Sequence, residues 1–204
     1  ARAGICLLER LPAGVSAGLG RCIGACAWVF FRRRRVVVRK NLEVVRDWSE
    51  ATGAGVVLPE TMDAAVWEVF TRSGANLLGG FAFNRMKPEA IQRHLEVEGV
   101  EHLSSALETG RGAIILLAHM GPWEVLAQLP EIARGHDVAA PFAALYRPLN
   151  NDYLDDWYKG RREARGTRLF SRRDGFHKPV DFLRAGGILG ILADQKMRQG
   201  ERVP

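Results

Sequence analysis

Three short apolar runs punctuate the second half of this chain: Ala113 to Ala118, Val138 to Tyr146 and Gly187 to Ala193. Each suits a strand and is too short for an ordinary helix. Between them lie stretches of helical character, one starting near Pro122 and a polar one from about Asn151 to Arg165. Strands that alternate with helices are joined by crossovers, so the pattern predicts an α/β fold with a mainly parallel central sheet flanked by helices. Upstream, Met62, Ala65, Val66, Val69, Phe70, Ser73 and Leu77 recur at helical spacing and predict an amphipathic helix from Pro59 to about Phe83, frayed at Gly79 and Gly80. The segment LEVEGV, Leu95 to Val100, alternates like a short strand, and Val100, Leu103, Ala106 and Leu107 continue at helical period as far as Gly110-Arg111-Gly112. A chain of 204 residues with 47% hydrophobic content can bury one core, which makes one domain with an appendage.

The appendage is expected at residues 1–35. GVSAGLGRCIGACAWVFF, Gly14 to Phe31, is apolar and runs directly into Arg32 to Arg35, followed by Arg39 and Lys40 with no acid among them. An apolar segment closed by arginines is a membrane signature, because the guanidinium groups stay in the headgroup layer on the cytoplasmic side. As a full span it is marginal, since a bilayer needs about 20 apolar residues and Arg21 interrupts the run. It either spans or lies in the interface; a core helix followed by a solvated charge run fits the same residues. Its charges follow the apolar run, which disfavours a cleavable signal peptide.

The formal net charge of +6 calls for an anionic partner. Nucleic acid is a poor choice, because no recognition fold or interleaved aromatics accompany the basic residues. Lys159, Arg161, Arg162, Arg165, Arg168, Arg172 and Arg173 are offset by Asp155, Asp156, Glu163 and Asp174, and read as a solvated helix face or as a dock for an acidic protein or lipid phosphates. Cys6, Cys22 and Cys26 read as small apolar residues, neither disulfides nor metal ligands. No metal and no cofactor is expected.

The candidate chemistry sits after the first apolar run, in AHMGPWE, Ala118 to Glu124. On one continuous helix, residues five apart point about 140° away from each other. His119 and Glu124 therefore converge only if the chain bends, and Gly121-Pro122 permits a bend with proline at the start of a helix. His119 then stands at the carboxyl end of a strand, where open α/β sheets bind ligands. A carboxylate orienting an imidazole makes a general base, so the expected pair is His119 as base and Glu124 as its orienting partner. A surface histidine beside a glutamate that favours the helix dipole accounts for the same residues. Zinc fits worse, because the second histidine of H-E-x-x-H is absent.

Taken in order, VEGVEHLSSALETGRGAIILLAHMGPWE, LYRPLNN, RLFSRRDG and GGILGILADQ, with RVVVRKNLEVV upstream, resemble the late acyltransferases of lipid A biosynthesis, of the lysophospholipid acyltransferase superfamily. The resemblance covers nearly the whole chain. It implies a membrane-associated O-acyltransferase on the cytoplasmic face of the inner membrane, moving a fatty acyl chain from an acyl carrier protein thioester to a hydroxyl of a lipid A precursor. It implies an acyltransferase domain over 36–204, incomplete at its C-terminal side, with His119 and Glu124 catalytic. Arg147 would bind a substrate phosphate, and Trp123, Asp194 and Gln195 would line the same substrate site. An anionic lipid surface is the implied membrane partner. One departure stands out: the family usually has asparagine where this chain has Pro122. A related enzyme acylating a lysophospholipid or an amino-acid lipid, or a non-catalytic membrane scaffold, fits the same motifs.

Overall fold

The computed structural model describes residues 10–83, 86–171 and 175–194. The chain packs as two compact units, Ala1–Arg85 and Met86–Pro204. The first is helical: α1 (Ala13–Phe30), α2 (Arg32–Thr52) and α3 (Met62–Phe83). Helix α1 is the one described helix long and apolar enough to cross a membrane by length and composition, with a mean hydropathy of 1.3. Its packing partner is α3. The two helices that follow the arginine block's start, α2 and α3, thus pack in one unit with the apolar segment. Gly79 and Gly80 do not fray α3; both are buried within it, because α1 covers that end and Ala17 approaches Gly79.

The second unit is the α/β domain. Its elements are α4 (Pro88–Gln92), α5 (Val100–Glu108), β1 (Ala113–Leu117), a 3₁₀ helix (Trp123–Gln128), α6 (Leu129–Arg134), β2 (Phe142–Tyr146), α7 (Asp152–Glu163), β3 (Thr167–Ser171), α8 (His177–Arg184) and β4 (Ile188–Leu192). The four strands form one parallel sheet in the order β1-β4-β2-β3. Helices cover both faces. Phe142 and Ile188 pack with Leu103 and Leu107 of α5 and Ala133 of α6, while Ala143 and Leu189 pack with Phe182 and Leu183 of α8. Complete burial of Ile188 and near-complete burial of Phe142 contribute about 1.5–3 kcal/mol each.

Two expectations change here. LEVEGV forms no strand: residues 95–98 are irregular and Gly99, in the left-handed region at φ 77°, starts α5 at Val100. No described strand pairs with that segment, and without a ladder its alternation is not enough. Conversely, the strand β3 comes from TRLFS, which alternation left unmarked; the sheet recruits it by parallel pairing with β2, from Phe142 opposite Thr167 to Tyr146 opposite Ser171.

Candidate functional site

All four strands point their carboxyl ends to one edge of the sheet, and the candidate residues gather there. Strand β1 pairs with β4 in a register that sets Leu117 opposite Leu192. His119 and Asp194 each lie two residues beyond that pair, so they leave the sheet side by side. The consequence is a double contact. The backbone N–H of His119 donates to Asp194 Oδ2 at 2.7 Å, and His119 Nδ1 lies 2.6 Å from Asp194 Oδ1. An ionised carboxylate only accepts, so Nδ1 carries the hydrogen, and in the neutral imidazole the lone pair is then on Nε2. The side-chain and backbone hydrogen bonds from His119 hold the Asp194 carboxyl below the usual carboxylate range, which keeps it in the accepting form.

The bend after His119 is present, and it serves another pairing. Gly121 adopts φ 58°, a conformation glycine takes without strain. Pro122 precedes the helix as its cap, at φ −79° and ψ 58°, and the turn that follows is 3₁₀ before α6 begins at Leu129. Glu124 falls in the first turn as expected, but its carboxylate does not serve His119. It is buried, and Arg162 Nη2 donates to both of its oxygens at 2.8 and 3.0 Å. The carboxylate on the imidazole is Asp194. The helical stretch carries Glu124 down toward α7, whereas strand pairing delivers Asp194 straight to the histidine.

Trp123 connects the two pairs. Its ring meets the His119 ring edge-on at 5.3 Å, and the Arg162 guanidinium lies 6.0 Å from it and 4.8 Å from Tyr158. Arg162 is thus tied by charge and by aromatic faces. The basic residues in and just after α7 accordingly divide: Arg162 and, beyond the helix, Arg165 turn inward, the latter to Glu131 at 3.0 Å, while Arg161 stacks on Trp157 at 4.9 Å. Arg172 and Arg173 lie outside the described residues, as does Gln195.

Arg147 follows β2 at the same edge. The loop after it is pinned: Asp155 accepts from the Leu149 N–H at 2.8 Å and from the Tyr146 hydroxyl at 3.3 Å, and Asn151 caps α7 by accepting from Leu154. Arg147 itself is exposed and makes no hydrogen bond or ion pair among the described residues. Beside Trp123 and the Glu124–Arg162 pair opens a cleft. Its walls are mostly apolar, with Leu117, Ala144, Leu145, Leu169 and Gly190 among them. No group of three or more potential metal ligands occurs among the described residues.

Arg162 and the direct role of Asp194 escaped the sequence reading. The signal for Asp194 was its place just after an apolar run, matching that of His119, but only the strand order makes the two neighbours. Arg162 carried no signal that set it apart from the other arginines of its helix.

Fold and edge together define an α/β protein with a histidine–aspartate pair and an adjoining apolar cleft at the carboxyl end of a parallel sheet. Residues 2–204 match the family described as bacterial lipid A biosynthesis acyltransferase, and the chain belongs to that family. It is 27% identical over 191 residues to the lipid A biosynthesis palmitoleoyltransferase of Escherichia coli (strain K12) and, equally, to a lipid A biosynthesis acyltransferase of Shigella flexneri. Those alignments cover 93% of this chain and 57% of each relative, so the chain spans little more than half the length of the curated relatives it matches.

Proposed function

We propose that this chain carries the catalytic centre of an O-acyltransferase that moves a fatty acyl group from an acyl carrier protein thioester to a hydroxyl of a lipid A precursor. The observation that carries the reading is the His119–Asp194 contact, which fixes the imidazole and leaves Nε2 free to accept a proton. The acceptor hydroxyl attacks the thioester carbonyl as Nε2 takes its proton. When the tetrahedral intermediate collapses, the C–S bond breaks and the imidazolium returns the proton to the departing thiolate. The products are an ester and a free thiol. Asp194 stabilises the imidazolium and orients the ring.

Glu124 supports the site without touching the histidine: its pair with Arg162 holds the 3₁₀ turn and places Trp123 against the imidazole. The apolar cleft suits the acyl chain, as a largely apolar pocket with few polar groups should. Arg147, exposed at the same edge with its donors free among the described residues, suits a substrate phosphate, where a forked guanidinium outperforms an ammonium. A domain on the cytoplasmic face of the inner membrane, with the N-terminal unit holding it to anionic lipid, accords with a family of lipid A biosynthesis and with the apolar α1.

Incubating the protein with an acyl carrier protein thioester or a coenzyme A thioester, together with a lipid A precursor or lysophosphatidate, and weighing the products tests the reading. Acylated lipid A precursor from the carrier-protein donor is the expected product. Acylated lysophosphatidate alone would move the acceptor to phospholipid, and no acylated product would leave a scaffold. Arg147→Lys should raise KM or lower kcat with unchanged stability; unchanged kinetics would remove Arg147 from the site.

A further inference from the structure

The N-terminal unit has the surface of a wedge that lies within one leaflet. Helices α1 and α3 pack antiparallel, and small residues fix their register. A Cβ added to Gly20 would run into the carbonyl of Gly74, one added to Gly24 would meet the carbonyl of Phe70 and the backbone of Thr71, and Trp28 meets Trp67 edge-on at 5.2 Å. Ser16 is fully buried in the same line. This register sets Arg72 of α3, which falls between Thr71 and Gly74, at the level of residues 21–23 of α1. That level is the middle of α1, whose own Arg21 is exposed. The Arg72 side chain is 67% exposed and, among the described residues, pairs with Glu68 one turn away.

Around each helix the residues sort by side. Val15, Leu19 and Ile23 form an exposed apolar stripe on α1, and Phe30 ends it at 78% exposure. At about 100° per residue, Arg21 stands about 160° from Leu19. The face toward α3 lies between them, so the stripe and Arg21 occupy opposite sides of the helix pair. Carried across the antiparallel contact with the same helical geometry, the exposed Leu77 of α3 falls on the side of the stripe, and Glu68 and Arg72 fall on the side of Arg21. A transmembrane orientation would bring Arg21, Arg72 and Glu68 to the hydrocarbon midplane, where ionised side chains are expelled. Its length would also be marginal: 18 residues give about 27 Å, against about 30 Å of hydrocarbon.

We infer that α1 and α3 lie in the plane of one leaflet of an anionic bilayer, with the Val15-Leu19-Ile23 stripe and Leu77 in the acyl boundary and Arg21 and Arg72 turned to the headgroups and water. The charge beside them fits that partner: α1 passes through Phe31 alone into Arg32–Arg35, and the outward face of α2 continues with exposed Val37, Lys40, Val44 and Trp48, basic and apolar together. A spanning antiparallel pair would carry α2 and the loop after it across the bilayer, whereas a pair lying in plane keeps them on the side from which the chain enters. This inference rests on the proposed membrane association, and the test separates the two.

The chain, with Cys6, Cys22 and Cys26 replaced by alanine, is expressed in a Gram-negative host with one reporter at a time: Ala54→Cys between α2 and α3, or Lys178→Cys on α8, both at exposed positions. Spheroplasts are treated with a membrane-impermeant maleimide before and after lysis, and membranes are washed with alkaline carbonate. The expected result is carbonate-resistant protein with neither reporter labelled in intact spheroplasts and both labelled on lysis. Labelling of Ala54→Cys but not Lys178→Cys in intact spheroplasts would show that the antiparallel pair crosses the bilayer, which overturns the in-plane wedge and keeps the anchor. Release of both variants by carbonate would overturn the membrane association itself, and the wedge with it.

Discussion

The two units of this chain solve the problem of burial in opposite ways. In the α/β unit most large side chains go inward: Ile188, Phe142, Phe170 and Leu189 are buried beneath helices on the two faces, while Ile114 and Leu116 of β1 stay exposed. In the N-terminal unit the contact line of α1 is made of Ser16, Gly20 and Gly24, and many of its large apolar side chains, from Val15 to Phe30, face outward. Small residues let backbones touch and send the bulk away from the interface, an arrangement that suits lipid, where side chains gain nothing by leaving the solvent. The difference teaches that burial in this chain has to be read against the solvent each unit meets.

The comparison breaks most visibly if chemistry and anchoring share residues. His119→Ala should lower acyl transfer by about 10²–10⁴ while leaving carbonate-resistant membrane binding unchanged; a parallel loss of both, measured on the same membranes, would join what the fold separates. Asp194→Asn keeps the shape, loses the charge and should cost about 10² in kcat. It also has a pH signature. The folded carboxyl is depressed below its unfolded value, so its contribution to stability is full above the unfolded value and drains away as pH falls through the folded one. Thermal melts of wild type and Asp194→Asn should therefore differ near neutrality and converge in strong acid. A constant offset down to low pH would deny the contact a role in stability.

Stability changes come next. Arg162→Ala strands a buried Glu124, whereas Glu124→Ala leaves an arginine that is 23% exposed and still stacked on Tyr158. The first should cost up to about 3 kcal/mol, at the low end for breaking a buried pair, which is a fall in Tm of about 6–12 °C at about 2–4 °C per kcal/mol. The second should cost clearly less, and equal losses in parallel melts would mean that Glu124 reaches water. Gly74→Ala puts a methyl against the Gly20 carbonyl and should cost about 1–3 kcal/mol, read as faster proteolysis between α1 and α3 with the kcat of the α/β unit retained. Smallest of all, Pro122→Asn should change kcat by less than about threefold and add about 0.5–1 kcal/mol, by supplying the side-chain cap that the 3₁₀ turn lacks. A larger rise in kcat would mark the asparagine amide as a donor to the developing oxyanion.

The sheet was legible where its strands are continuous apolar runs, as at Ala113–Leu117 and Ile188–Leu192, although the first of these leaves Ile114 and Leu116 exposed. Short TRLFS and alternating LEVEGV were misleading for one reason: strand formation depends on a neighbour, and periodicity within a segment says nothing about one. The site divides along the same line. His119 was visible from its motif and its position after a strand. Its carboxylate partner was not, because H-x-x-x-x-E invites a local pairing while the sheet supplies a distant one, 75 residues away. Burial of Glu124 with Arg162 depends on how α7 packs on the 3₁₀ turn, which no spacing within either segment encodes.

That distant pairing has a consequence for the order in which the protein is made. Among the described strands β1 hydrogen-bonds only to β4, and β4 also supplies the link to β2. A nascent chain that has left the ribosome as far as α8 can join β2 to β3, but β1 has no neighbour and His119 no carboxylate. Insertion of Ile188–Leu192 between β1 and β2 unites the sheet and, in the same event, brings Asp194 to the histidine. Such long-range closure folds slowly, and it means that no partly synthesised chain can hold the His119–Asp194 pair before β4 is in place.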